Sequence, residues 1–239
     1  MPTTTLRIRF DKSGYYFIGL LVLAFLGFWN NYFSKFFVGH NDFSFYFHFH
    51  AAMMILWVVL LIVQPLLIRK KQVHLHKSIG KATYFIMPLL LTSVLLVLNN
   101  GLKNIPEKEI SFNLVLFPFR DFILLAVAFC IAIYHRRNIQ IHARAMIITG
   151  IVFIEPALFR FLNGMLLKGF GGAGGLVAMF LMLSLLITLI VMERNQKSGR
   201  WMFPSLLAIY VVAYCIGIFQ IPITFLDPLT RWIAALPLT

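Results

Sequence analysis

Charged side chains are scarce in this 239-residue sequence, where they make up 12% of the chain, against about 25% in a typical soluble domain. Acidic residues are the scarcer class, with 8 Asp and Glu facing 21 Lys and Arg, while apolar residues reach 60%. This composition excludes an ordinary soluble domain and predicts a protein embedded in the lipid bilayer. We therefore assign the formal charge of +13 to basic residues at the ends of membrane spans and predict no nucleic acid partner.

Cysteine is rare, and the sequence also lacks a signal-peptide cleavage site and a lysine in its last apolar run. The two cysteines, Cys130 and Cys215, both lie in apolar runs, which excludes a disulfide framework of the secreted kind. No small-residue cleavage site follows the first apolar run, which continues into Trp29, so we interpret that run as a retained span and not as a signal peptide. The last apolar run, 203–222, contains no lysine, which excludes a retinal Schiff base.

Long apolar runs dominate what is present, and they predict an all-α bundle of seven transmembrane helices in a single integral membrane domain, 1–239. The predicted spans are 14–33, 46–68, 79–98, 113–134, 143–163, 174–192 and 203–222. Because the loops are short, consecutive helices should be antiparallel neighbours. The apolar tail after Pro222 contains two more prolines, so we expect it to lie at the membrane interface and not to form an eighth span.

Basic residues alternate between the two sides of this predicted bundle. Fourteen Lys and Arg flank the N-terminus and the second, fourth and sixth loops, whereas five lie on the opposite side. By the positive-inside rule, the N-terminus is predicted to be cytoplasmic and the C-terminus outside.

The second predicted span opens with two histidines that cannot share one helix face. His50 begins a stripe with Trp57 and Gln64 at helical spacing, and this polar-ended stripe should face protein because lipid offers no hydrogen bonds. His48 lies about 200° round the helix from His50.

Four charges lie inside predicted spans, where charge is costly and points to function. Arg120 and Asp121 fall in the fourth span, and Glu155 and Arg160 in the fifth, beside Pro156, which predicts a kink. One interpretation is a polar pocket near the outer surface, formed by His48 or His50, Arg120, Asp121, Glu155, Arg160 and Asn163. The other is a pair of structural ion pairs, because two arginines balance two carboxylates.

Four further histidines cluster near the predicted cytoplasmic edge: His74, His76, His135 and His142. They offer nitrogens for a divalent metal, and His76 with His142 offers axial ligands for a haem b, while His50 is the candidate cofactor ligand of the outer half. The alternative is that these are interfacial histidines in contact with headgroups or water.

Several short elements occur in an order that resembles a known family. They are His50 with Trp57 and Gln64-Pro65, the stretch HKSIGKATY at 76–84, Arg120-Asp121-Phe122, IHARAM at 141–146, and Pro156 with Arg160. Together they resemble the bacterial multi-pass family called domain of unknown function 2306. One departure is that Arg144 is kept while a second basic residue expected before it is absent. The resemblance implies a multi-pass protein of the bacterial inner membrane and brings no established activity or cofactor.

Function at this stage has several candidates. The leading hypothesis is a haem- or metal-binding protein with a redox or assembly role that uses the interior histidines. The alternatives are a non-catalytic subunit or scaffold with a membrane-protein partner or a second copy of itself, and a small proton-coupled transporter that uses Asp121 and Glu155. A membrane metallohydrolase ranks last, since no arrangement of serine, aspartate and three histidines lies at one depth.

Overall fold

The structure is a computed structural model, and it describes residues 9–39, 42–170 and 172–239. Within these three ranges the chain forms α-helices joined by short loops and contains no β-strand, which confirms the all-α prediction. The helices are α1 Ser13–Gly27, α2 Ser34–Val38, α3 Phe45–Arg69, α4 Val73–Lys103, α5 Leu116–Tyr134, α6 Ile139–Ile151, α7 Ile154–Phe161, α8 Ala173–Glu193, α9 Met202–Ile218 and α10 Asp227–Ala235.

In the described part of the chain, six helical stretches are long and apolar enough to cross a membrane: Phe10–Gly27, Phe45–Arg69, Val73–Lys103, Leu116–Tyr134, Ile139–Leu166 and Ala173–Glu193. A further apolar helix, α9, has 17 residues, or about 25 Å at 1.5 Å per residue, against a hydrocarbon core of about 30 Å. Large apolar side chains such as Phe85, Phe180 and Val212 are exposed on the outside of the bundle, where lipid would cover them. The protein is therefore a multi-pass membrane protein, while seven spans and the orientation of the termini stay predictions.

The bundle has two distinguishable ends. We call one the basic end, where Lys12, Arg69, Arg136 and Arg194 lie at helix termini. We call the other the tail end, because α10 packs there against the ends of α4 and α5.

Two helix boundaries differ from the hydropathy pattern. Helix α4 runs from Val73 to Lys103, well beyond the predicted 79–98, so His74 and His76 lie in a helix and not in a loop. Apolarity marks the thickness of the membrane, whereas helix length is set by caps and breakers. Helix α1 ends at Gly27 and is followed by a π-helical turn at Trp29–Phe33.

The predicted fifth span is broken. Helix α6 ends at Ile151, and α7 begins at Ile154. Pro156 explains this position, because it has no N–H to donate to the carbonyl of Val152. A π-helical turn at Leu162–Leu166 follows α7.

The buried face of α3 is the one predicted from spacing. Trp57, Leu61 and Gln64 are buried, and the indole Nε1 of Trp57 donates to Thr149 Oγ1 of α6 at 3.3 Å. This hydrogen bond satisfies an indole N–H that is fully removed from solvent.

The C-terminal tail forms α10, whose nine residues are too few to cross a bilayer. Asn99 of α4 holds this tail, because its amide Nδ2 donates to the carbonyls of Ile233 at 2.7 Å and Leu236 at 3.0 Å. Its Oδ1 accepts from Thr239 Oγ1 at 2.7 Å. Asn99 thus fixes the end of the chain on the tail end of the bundle.

Candidate functional site

Arg120 is the centre of a buried charge cluster between α5 and α7. Its Nε and Nη2 donate to Asp121 Oδ1 at 2.9 and 2.7 Å, and Nη2 also donates to Glu155 Oε2. The side chain of Arg120 is 5% exposed, whereas Asp121 and Glu155 keep 18% and 15% exposure. The carboxylates are therefore reachable from outside the protein, and the guanidinium is not.

Helix α9 contributes two aromatic residues to the same place. The Cζ of Arg120 lies 4.0 Å from the ring centre of Tyr210 and 5.8 Å from that of Tyr214, distances at which the π faces attract the cation. We call the five residues Arg120, Asp121, Glu155, Tyr210 and Tyr214 the Arg120 cluster. Three helices meet at this cluster, so its geometry depends on how the bundle packs.

The Arg120 cluster has donor capacity that the protein does not use. The buried atoms Arg120 Nη1, Tyr210 Oη and Tyr214 Oη have no hydrogen-bond partner among the described residues. Buried donors without partners are uncommon in folded proteins and call for an explanation such as a bound group or a functional role.

Arg160 is in a different environment from Arg120. Its Nη1 donates to the carbonyl of Pro156 at 2.9 Å, and its Cζ lies 4.6 Å from the ring centre of Phe28. The structure describes all eight Asp and Glu of the chain, and Arg160 forms an ion pair with none of them. One guanidinium thus serves two carboxylates in the Arg120 cluster, where the sequence suggested two balanced pairs.

The other residues of the predicted polar pocket bond elsewhere. His48 Nδ1 lies 2.7 Å from Tyr32 Oη, and His50 Nδ1 lies 3.1 Å from Ser93 Oγ. Asn163 Nδ2 donates to the carbonyl of Phe159 at 3.0 Å, within the same helical segment. The structure therefore brings together Arg120, Asp121 and Glu155 from the predicted set and leaves these three outside the cluster.

The histidines of the basic end make separate hydrogen bonds and ring contacts, and His76 and His142 are near enough for their charges to interact. His142 Nδ1 donates to the carbonyl of Ala132 at 2.9 Å, and Gln64, with its amide nitrogen turned toward His76, donates to His76 Nδ1 at 2.5 Å. His135 packs against the ring of Tyr134, and His74 is exposed. Across residues 9–39, 42–170 and 172–239, no group of three or more His, Cys, Asp or Glu is placed to hold a metal ion. Haem or metal binding stays a prediction.

An ion pair that the sequence did not suggest lies at the basic end. Arg144 of α6 donates from Nε to Glu193 Oε2 of α8 at 2.5 Å, and from Nη2 to the same oxygen. Its Nη1 donates to the carbonyl of Gln140 at 2.8 Å. The two side chains are 0% and 1% exposed. The sequence did carry one signal for this pair: Glu193 is the single acidic residue in the apolar run that forms α8.

No family model, curated protein or solved structure matches this chain. The resemblance to domain of unknown function 2306 stays a prediction, and the function has to be inferred from the geometry of the Arg120 cluster.

Proposed function

We propose that this protein is a small proton-coupled carrier of the bacterial inner membrane, with seven spans and a cytoplasmic N-terminus, and that the Arg120 cluster binds the proton. The supporting observation is that Asp121 and Glu155 share the single guanidinium of Arg120. When both carboxylates are ionised, the cluster carries one net negative charge. Among apolar helices such a charge is costly, and one bound proton neutralises it.

The helix that carries Glu155 supports a carrier. Helix α7 is separated from α6 by a break at Val152 and Phe153, and it ends in a π-helical turn. Discontinuous spans next to charged groups are typical of ion-coupled carriers, since a short helical piece can shift relative to the rest of the span. A shift of α7 would move Glu155 relative to Arg120.

Arg160, five residues along the same short helix, supports an anionic solute. Its side chain is only partly buried, and it lies close enough to His50 for its charge to act on that imidazole. An intramembrane arginine without a carboxylate partner favours an anion. Glu155 of the proton site and Arg160 of the anion site would then move together with α7.

The proton site is tested by charge displacement in proteoliposomes on a solid-supported membrane. A rapid pH jump should give a transient current in the wild type, and Asp121→Asn or Glu155→Gln should reduce it to the level of protein-free liposomes, because either change makes the cluster neutral without a proton. Glu109→Gln is the matched control, since Glu109 is an exposed carboxylate of the loop after α4. It should keep the full transient.

Other results would contradict the proposal. A transient that survives both substitutions places proton uptake elsewhere. Variants that lose only thermal stability favour the scaffold hypothesis. A Soret band in the oxidised and reduced optical spectra of the same sample would favour the haem hypothesis over the carrier.

The solute site has its own test with two anions that do not cross lipid, inorganic phosphate and citrate. One of them should change the current transient of the wild type, and Arg160→Gln should abolish that change while it leaves the response to a pH jump intact. An anion response that persists in Arg160→Gln, or its absence in the wild type for both probes, would remove Arg160 from the proposal and leave the proton site standing.

A further inference from the structure

The loop between α8 and α9 folds into a cup at the basic end. The cup borders an open cavity of about 570 Å³, which is lined by Arg194, Asn195, Gln196, Lys197, Arg200 and Trp201. This volume is in the range of small-molecule sites. The loop lies away from the Arg120 cluster, and its role is independent of the proposed carrier activity.

Hydrogen bonds hold the cup in shape. Arg200 Nη1 donates to the carbonyl of Arg194 at 3.3 Å and closes the rim, and Asn138 Nδ2 donates to Ser198 Oγ at 3.3 Å, which ties the loop to the turn between α5 and α6. Gly199 has a φ of +74°, a left-handed conformation that favours glycine. These two hydrogen bonds and the turn at Gly199 define the shape of the cup.

The cup presents three positive charges that no acid of the protein neutralises. Arg194, Lys197 and Arg200 are exposed, and none of them forms an ion pair with any of the eight acids, all of which are described. The adjacent acid, Glu193, is turned inward to Arg144 and is buried. The protein therefore directs its one local carboxylate away from the cavity.

The position of the cup identifies what it meets. It directly follows α8, an apolar helix of 21 residues that is long enough to cross the hydrocarbon core, so the cup lies at the depth of the lipid headgroups. Trp201, which lines the cavity, is 52% exposed, and tryptophan is typical of this layer. Basic pockets at helix ends bind phosphate-bearing headgroups.

We propose that this cup binds the headgroup of an anionic phospholipid. The two guanidinium groups and the ammonium contact phosphate oxygens, the amides of Asn195 and Gln196 donate to the remaining oxygens, and Trp201 packs on the glycerol and the first acyl carbons. The ligand comes from the membrane and not from the aqueous phase, because the cup adjoins the apolar surface of α8, along which the acyl chains of a lipid can lie.

Native mass spectrometry of the full chain in mild detergent tests this site with three added lipids: cardiolipin, phosphatidylglycerol and phosphatidylcholine. The triple variant Arg194→Gln/Lys197→Gln/Arg200→Gln should bind the two anionic lipids on the order of a hundredfold more weakly, since each charge contributes about fivefold. Phosphatidylcholine should bind weakly and equally to both proteins. Lys197→Gln alone, expected at about fivefold, covers the case in which the triple variant does not fold.

The matched control is Lys70→Gln/Lys71→Gln/Lys77→Gln, which removes three exposed charges from the same end of the bundle but outside the cavity. It should retain wild-type affinity. An equal loss in this control would mean diffuse attraction and would overturn the site. Displacement of bound cardiolipin by inorganic phosphate at similar concentration would also overturn it, because the ligand would then be a soluble anion.

Discussion

Glu193→Gln is expected to lower the free energy of unfolding by about 3–5 kcal/mol, since it leaves the guanidinium of Arg144 buried with its charge unpaired. Arg144 is 0% exposed, and two of its nitrogens donate to one carboxylate oxygen. A glutamine keeps the shape and one acceptor but removes the charge. The measurement is equilibrium unfolding in detergent, or the thermal unfolding midpoint where unfolding is irreversible.

The exposed ion pair between Arg9 and Asp11 supplies the control. Its Nη2–Oδ2 distance is 3.1 Å, and its side chains are 62% and 30% exposed, so Arg9→Gln should cost less than about 1 kcal/mol.

The double variant Arg144→Met/Glu193→Leu should recover most of the stability that Glu193→Gln loses, because no charge is then left without a partner. A double variant as unstable as Glu193→Gln would show that packing around the pair matters more than its charge.

Gly27→Ala is expected to destabilise the bundle by about 1–3 kcal/mol through overpacking. A Cβ at Gly27 would collide with the carbonyl oxygen of Ala157 in α7 and would lie 3.1 Å from its carbonyl carbon. These are backbone atoms and cannot rotate away as a side chain can. The helices α1 and α7 would have to separate, which should also disturb Glu155, two residues before Ala157. Thermal unfolding and the pH-jump transient measure the two effects.

Gly19→Ala, in the same helix, is the control with the opposite expected sign. Nothing lies within 4 Å of a Cβ built at Gly19, so alanine should be neutral or stabilise the protein by up to about 1 kcal/mol through its helix propensity. If Gly19→Ala and Gly27→Ala lowered the stability equally, the role of Gly27 would not be to allow the close approach of α1 and α7.

Much of the architecture could be predicted because lipid imposes simple rules. Long apolar runs require helices, and the buried stripe through Trp57 and Gln64 follows from spacing alone. The break near Val152 follows from the missing N–H of Pro156. The full length of α4 was not predictable in this way. Its polar ends remain helical because caps and breakers, and not hydropathy, set where a helix ends.

The candidate site was only partly predictable. Arg120 and Arg160 look equivalent in the sequence, and only packing decides that one of them contacts both carboxylates. Tyr210 gives no signal, because a tyrosine in an apolar helix is ordinary until its neighbours are known. Arg144 looks like an orienting charge at the end of a span, and its burial depends on Glu193, 49 residues away along the chain.

The hold of Asn99 on the C-terminal tail has a consequence for synthesis. Ile233, which accepts one of its amide hydrogen bonds, is 134 residues further along the chain, a distance that a ribosome needs on the order of ten seconds to translate. During that interval the carboxamide of Asn99 lacks the carbonyls it will finally bind. A chain that stops short of α10 never supplies them, so its Asn99 keeps amide donors and a carbonyl acceptor without the partners of the finished protein.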